Sequence, residues 1–306
     1  MTYLLTGGAG FIGSNIAEEL ITRGESVRIL DNFSTGKREN LRNIENQIEL
    51  IEGDIRNYDT VQKAIRGIDI VIHQAALPSV PRSIDDPITS NDVNINGTLN
   101  MLNASKEAKV KRFVFASSSA IYGDNPVLPK REEMLPEPLS PYAVNKLTGE
   151  SYCKVYSKVY GLHTVSLRYF NVFGPRQDPN SQYSAVIPKF LKLMKEGKQP
   201  VINGDGTQTR DFIHVSNVVE ANIIAATADC EPGLVLNCAC GEIIDLITLV
   251  KEINRLLNKN IEPIFGSSVP GDIKHSYADI SKITEKLGWT PMLTFRQGLQ
   301  NLILST

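Results

Sequence analysis

The chain is short of cysteine, histidine, net charge and long apolar runs, and each shortage excludes something. Four cysteines (Cys153, Cys230, Cys238, Cys240) and four histidines (His73, His163, His214, His275) are spread over 306 residues. Only Cys238 and Cys240 lie close together, and a zinc site needs a second Cys/His pair near the first. No metal is expected. The cysteines read as small buried hydrophobes of a cytoplasmic protein. Net charge is −2, and no basic patch interleaved with aromatics stands out, so a nucleic-acid partner is not expected. No apolar stretch approaches the roughly 20 residues of a membrane-spanning helix. The opening MTYLLTGGAGFIG has no basic flank and is broken by glycine, unlike a secretory leader. A membrane partner is therefore not expected either.

What is present is an alternation of strand and helix signals. YLLT, SVRIL, QIELIEG, DIVIHQA, KRFVFASS and HTVSLRYF read as strands. Helical patterns over 11–23, 90–108 and 141–160 lie between some of them. Such alternation means βαβ units, and right-handed crossovers turn these into a doubly wound, Rossmann-type parallel α/β sheet. This domain is expected over 1–175. The rhythm loosens afterwards, and 176–306 reads as a smaller α/β substrate lobe, part of which can pack back on the first domain. Its elements are helices over 186–196 and 246–257, a turn-rich PVINGDGTQTRDFIHV, a short strand NIEPIF and two C-terminal helices.

TGGAGFIG places Gly7, Gly10 and Gly13 between the first strand and the first helix. The first glycine makes the tight turn, the second admits a pyrophosphate to the backbone, and the third lets helix and strand pack closely. The helix N-terminus then offers free N–H groups to an anion. Asp31, eighteen residues past Gly13 at the end of the second strand, is placed to take a ribose hydroxyl and to repel a 2′-phosphate, which favours NAD over NADP. Lys37 and Arg38 follow closely and weigh the other way. GDI at 53–55 suits an adenine contact.

SPYAVNKLTGE puts Tyr142 and Lys146 one helical turn apart on one face. An ammonium beside a phenol favours the phenolate, and the positive charge of a nicotinamide adds to this. A lowered tyrosine pKa, suited to proton abstraction from a hydroxyl, is expected. FVFASSSAIYG supplies serines at the C-terminal end of the fifth strand, where open α/β sheets bind ligands.

TGGAGFIG, SSSAIYG, YAVNK and RYFNVFGPR resemble the extended short-chain dehydrogenase/reductase family over essentially the whole chain. Within it the chain is most similar to nucleotide-sugar 4-epimerases of the UDP-galactose type. LPSVPRS, RYFNVFGPRQDP and NGDGTQTRDF are similar to the UDP-N-acetylglucosamine 4-epimerase branch. The resemblance implies a UDP-sugar substrate, NAD that stays bound between turnovers, and catalysis by Ser118, Tyr142 and Lys146. Tyr142 would take the 4-hydroxyl proton while C4 gives its hydride to NAD. The 4-keto sugar would turn over and receive the hydride on its other face. Further cofactor contacts are implied for Phe11, Ile12, Asn32, Asp54, Ile55, Gln74, Ala75, Ala76, Asn94 and Tyr169. Substrate contacts are implied for Ser79, Ser119 and Val186, for Asn171 and Arg210 on the diphosphate, and for Asp272 on the uridine ribose. The family usually has an arginine where this chain has Val269, and Arg82 or Arg176 could replace it. Four residues after Asp272, glucose-restricted relatives carry tyrosine. Here Ser276 leaves room for an N-acetyl group.

Three alternatives stand beside this reading. Relatives that dehydrate carry Asp and Glu in place of Ser118 and Ser119, and relatives that decarboxylate also carry a Glu there. UDP-glucuronate 4-epimerases typically carry threonine in place of Asn171. A non-catalytic nucleotide binder would break the Ser/Tyr/Lys set, which this chain keeps. The resemblance also implies a homodimer, paired through the helices that begin near Ser90 and Pro141.

Overall fold

The computed structural model describes residues 1–179, 186–267 and 273–305. Six strands follow in order, Thr2–Thr6 (β1), Ser26–Asp31 (β2), Ile48–Glu52 (β3), Ile70–His73 (β4), Arg112–Ser118 (β5) and Thr164–Tyr169 (β6). With the later strand Leu234–Cys238 they form one sheet in the order Leu234–Cys238, β6, β5, β4, β1, β2, β3. Every neighbouring pair is parallel. β4 and β6 are buried along their whole length, as strands covered on both faces must be. The chain winds outward from β1 to β3, then returns to β4 on the other side of β1. This reversal opens a crevice at the carboxyl ends of β1 and β4.

Helices cover both faces. Phe11–Thr22 (α1) and Val215–Thr227 pack on one face, in a core that includes Leu5, Ile29, Leu167 and Trp289. Tyr58–Ala64, Gly97–Glu107 and Pro141–Tyr160 cover the other, around Leu4, Val71 and Phe113. The Pro141–Tyr160 helix has local start and stop signals. Ser140 Oγ accepts the Ala143 N–H, Pro141 fills the first turn, and Gly161 ends the helix with φ 72°. A third core lies under Val186–Lys195, Leu246–Leu257 and Phe295–Leu304, with Phe173, Phe212 and Phe295 at its centre.

Three features differ from the pattern in the sequence. The long helix over 90–108 is divided into Pro87–Asn91, a π-helical turn Asp92–Asn96, and Gly97–Glu107. Within the π turn the Asn94 side chain accepts the Leu77 N–H at 2.8 Å and donates to the Leu77 carbonyl at 3.2 Å. Val215–Thr227 carries no amphipathic stripe because nine of its residues are buried. Leu234–Cys238, far along the chain, extends the main sheet by pairing with β6. All four cysteines are free. Among the described residues no helix is long and apolar enough to cross a membrane, and no His/Cys/Asp/Glu group could hold a metal.

Candidate active site

A cleft of about 490 Å³ runs along the carboxyl ends of the strands. Gly7, Gly10, Phe11, Ile12 and Gly13 form one end of its floor, with Asp31 and Asn32 after β2 and Asp54 and Ile55 after β3 beside them. Gln74, Ala75 and Ala76 follow β4, and Ser118, Tyr142 and Tyr169 close the far end. Two expected cofactor residues stand behind this wall. Asn94 clamps Leu77, and Lys146 lies beneath Tyr142.

The glycine loop fits a dinucleotide diphosphate. Gly7 has φ +68°, and a Cβ there would come within 2.7 Å of the Ala75 nitrogen. A Cβ on Gly13 would lie 2.2 Å from the Gly7 carbonyl oxygen, so the tight turn requires both. A Cβ on Gly10 would meet only that carbonyl, at 3.2 Å. Gly10 is the N-cap of α1 and brings no side chain to it, which leaves the first-turn N–H groups for an anion. The Asp31 carboxylate is locked by the Ala9 N–H at 2.9 Å and the Phe33 N–H at 2.8 Å. The nearby cations are both paired. Lys37 Nζ lies 2.7 Å from Asp178, while Arg38 pairs with Glu52 and stacks over the Phe33 ring. A carboxylate facing the cleft and cations engaged elsewhere suit NAD rather than NADP.

Ser118 ends β5, Tyr142 sits in the first turn of the Pro141–Tyr160 helix, and Lys146 follows one turn later. Tyr142 and Lys146 are 9% and 5% exposed. The Ser118 hydroxyl lies near enough to the Tyr142 phenol to favour its ionised form. Lys146 Nζ donates to the Ala116 carbonyl at 2.7 Å and lies 5.8 Å from the centre of the Tyr142 ring. The expected low tyrosine pKa is not what this environment produces. Burial pushes Tyr142 up to about 12, against the lowering effect of the Ser118 hydroxyl. Burial also brings Lys146 down to about 8. Desolvation of the charged forms outweighs the one-turn proximity on which the sequence expectation relied. The nicotinamide charge counted alongside Lys146 arrives only with the bound cofactor.

A second cavity of about 420 Å³ adjoins the first, since Val172 lines both. Asn171, Val186 and Arg210 line it as expected. Lys189, Asn203 and Gln208 line it too, and sequence reasoning missed them, although Asn203 and Gln208 lie in the quoted NGDGTQTRDF. Asn171 Nδ2 donates to the Asp211 carbonyl at 3.2 Å. Arg210 is steadied by the Thr209 and Lys274 carbonyls at 2.9 and 3.2 Å. Ser276 stands opposite Arg210 in a short parallel pairing. Asp211, also missed, is fully buried and accepts N–H bonds from Cys240, Gly241 and Ala278. Burial raises its carboxyl to about 6. It ties three chain segments together around Arg210.

The other expected substrate residues are placed less directly. Ser79 caps the short helix Val80–Asp85, accepting the Arg82 N–H at 3.1 Å. Ser119 lies in the turn Ser119–Tyr122, part-buried, next to Ser118. Arg176 is paired with Glu18 of α1 and is not among the described residues lining the second cavity. Arg82 is exposed. Asp272 and Val269 lie outside the described residues.

A doubly wound sheet, a glycine loop shaped for a dinucleotide and a Ser–Tyr–Lys group at the strand ends define a nicotinamide enzyme of the extended short-chain dehydrogenase/reductase class. The profile of the NAD dependent epimerase/dehydratase family matches residues 3–239. The solved UDP-N-acetylglucosamine 4-epimerase of Methanobrevibacter ruminantium, in complex with UDP-N-acetylmuramic acid, is 43% identical, with a TM-score of 0.95 over 99% of this chain and 97% of that one. The Thermus thermophilus UDP-glucose 4-epimerase, solved with NAD, is 37% identical, with a TM-score of 0.90 over 99% and 98%. The UDP-glucose 4-epimerase of Mycolicibacterium smegmatis is 35% identical over 99% of this chain and 97% of its own length. The chain belongs to the NAD-dependent epimerase/dehydratase family, and its cofactor is NAD.

Proposed function

We propose that the protein is a nucleotide-sugar 4-epimerase acting on UDP-hexoses, interconverting UDP-glucose with UDP-galactose and UDP-N-acetylglucosamine with UDP-N-acetylgalactosamine. The observation that carries this is the position of Ser118 and Tyr142 in a dinucleotide cleft that adjoins a second, nucleotide-sized cavity containing Arg210. UDP occupies the second cavity, with Asn171 and Arg210 on its diphosphate. A guanidinium suits two phosphate oxygens. The hexose then reaches the Ser118–Tyr142 end of the cleft. Tyr142 takes the 4-hydroxyl proton and later returns it, and Ser118 holds the same oxygen in line. Lys146 anchors the tyrosine's helix to β5 through Ala116 and supplies the neighbouring positive charge. NAD, when bound, accepts the C4 hydride and gives it back. The 4-keto sugar turns about its linkage to the diphosphate, and Tyr142 reprotonates the oxygen after the hydride has returned to the other face.

Serines at 118 and 119 argue against dehydration or decarboxylation, which need an acid there. Among the described residues lining the first cleft there is no lysine or arginine, which argues against a uronate carboxylate. Ser276, small and beside Arg210, leaves room for an N-acetyl group at C2. Two copies pair through the Pro141–Tyr160 helix and its neighbours, whose Val144, Val155, Val159, Ile84 and Ile88 are exposed. Asp272 would hold the uridine ribose.

The test is turnover of UDP-glucose and UDP-N-acetylglucosamine in separate reactions without added NAD, with chromatographic separation of the 4-epimers. Both should convert. Conversion of UDP-glucose alone would discard the N-acetyl pocket, and conversion only of UDP-glucuronate would overturn the substrate reading.

A further inference from the structure

We propose that Lys37 and Asp178 form a clasp across the rim of the cofactor cleft that keeps the dinucleotide in place between the two hydride transfers. The inference rests on NAD being the cofactor and is independent of which sugar is epimerised. An epimerase that reduces and reoxidises the same cofactor gains nothing from exchanging it, and losing it between the two transfers strands a keto sugar.

Two walls face each other at the nucleotide end of the cleft. Asn32, Ser34 and Thr35 after β2 form one, and Gln177 and Asp178, in the loop after the strand Asn171–Phe173, form the other. They are joined at the rim, where Lys37 Nζ donates to Asp178 Oδ2 at 2.7 Å across 141 positions of chain. Each end of this bridge is anchored separately. The Lys37 N–H donates to the Ala9 carbonyl at 3.0 Å and Asn40 Nδ2 to the same oxygen at 2.8 Å, fixing the lysine's loop to the glycine loop. The Asp178 loop is tied to α1 through Asn15 Nδ2 on the Pro175 carbonyl at 3.2 Å and through the Arg176–Glu18 pair. Arg176 adopts φ +71°, a conformation uncommon for a non-glycine residue. Gln177 Nε2 holds the Val172 carbonyl at 3.1 Å. Among these anchors the Lys37–Asp178 bond alone joins one wall to the other. Lys37 and Asp178 side chains are 53% and 34% exposed, so the bridge can open to solvent and is open to screening by salt.

The test loads the purified full-length protein with NADH, chases with excess NAD and follows release by loss of NADH fluorescence. Lys37→Ala and Asp178→Asn should each release roughly two- to five-fold faster, the range expected for one exposed ion pair. The exchange Lys37→Asp with Asp178→Lys should restore slow release. Raising NaCl to about 0.5 M should speed release from the parent protein and leave the single variants unchanged. Arg38→Ala, which removes a neighbouring cation paired with Glu52, should release at the parent rate. Single variants that release like the parent, or an exchange that stays fast, would overturn the clasp. A protein that passes this test and epimerises no UDP-sugar leaves the clasp standing and discards the substrate reading instead.

Discussion

Removing one partner of the buried Glu150–Arg168 pair should destabilise the fold far more than removing both. The two side chains are 1% and 3% exposed and meet in a two-point contact, Nε to Oε1 at 2.9 Å and Nη2 to Oε2 at 2.8 Å. Ser117 Oγ donates to the same carboxylate at 2.5 Å. Arg168 also donates to the Tyr122 hydroxyl at 2.8 Å, which donates to Asn237 at 2.7 Å. Arg168→Met leaves the carboxylate buried with only Ser117 to satisfy it, a loss of about 3–5 kcal/mol. Unfolding entropy of roughly 2 cal/mol/K per residue makes that a fall in Tm of about 5–8 °C for a chain of this length. Glu150→Met with Arg168→Met removes both charges of the pair and should recover most of the loss. The assay is thermal unfolding followed by circular dichroism, with urea titration as a second measure. An Arg168→Met protein melting within a degree of the parent would refute the reasoning. So would a double variant no more stable than the single one.

Tyr142→Phe should still bind UDP-sugar by calorimetry while its turnover falls by at least about 100-fold, the usual cost of losing a general base; near-normal turnover would remove Tyr142 from that role. Ser276→Tyr should lose UDP-N-acetylglucosamine turnover and keep UDP-glucose turnover, and equal loss on both would remove the size argument. His73, buried between Thr6 and Thr98 with hydrogen bonds of 2.7 and 3.0 Å, is held down to about 3 by burial and then by the charge of Lys146. Its unfolded form protonates first as pH falls, so its share of stability is whole above about pH 6.5 and is lost toward pH 3, by up to about 1.4 kcal/mol per unit. His73→Gln should flatten the dependence of the urea midpoint between pH 6 and 4, and an unchanged slope would show that the ring is not buried neutral.

Much of the framework is written in short stretches of the chain. The Pro141–Tyr160 helix is legible because Ser140, Pro141 and Gly161 act within one turn of its ends. Gly13 is legible because a Cβ there would strike the Gly7 carbonyl six residues away, and Gly7 because the turn holds its backbone at φ +68°. The six early strands announce themselves by apolar runs bounded by turn residues. These are local properties, set by backbone sterics and hydrogen bonding that need no distant partner.

Tertiary packing decided the rest. The one-turn spacing of Tyr142 and Lys146 suggested a lowered phenol pKa, but β5 and the loops that cover them impose a desolvation cost that raises it. Arg176 could be named from sequence as a spare cation, yet Glu18, 158 positions away, takes it. Lys37 looked relevant to the 2′-position of the cofactor, and Asp178 engages it instead. Leu234–Cys238 joins the main sheet although six earlier strands and the lobe segments precede it. Sequence determined where the chain can turn, coil and extend. Which charges lose their water, and which carboxylate each cation meets, depends on segments brought together from far apart, because burial and Coulomb energies are properties of the assembled surroundings.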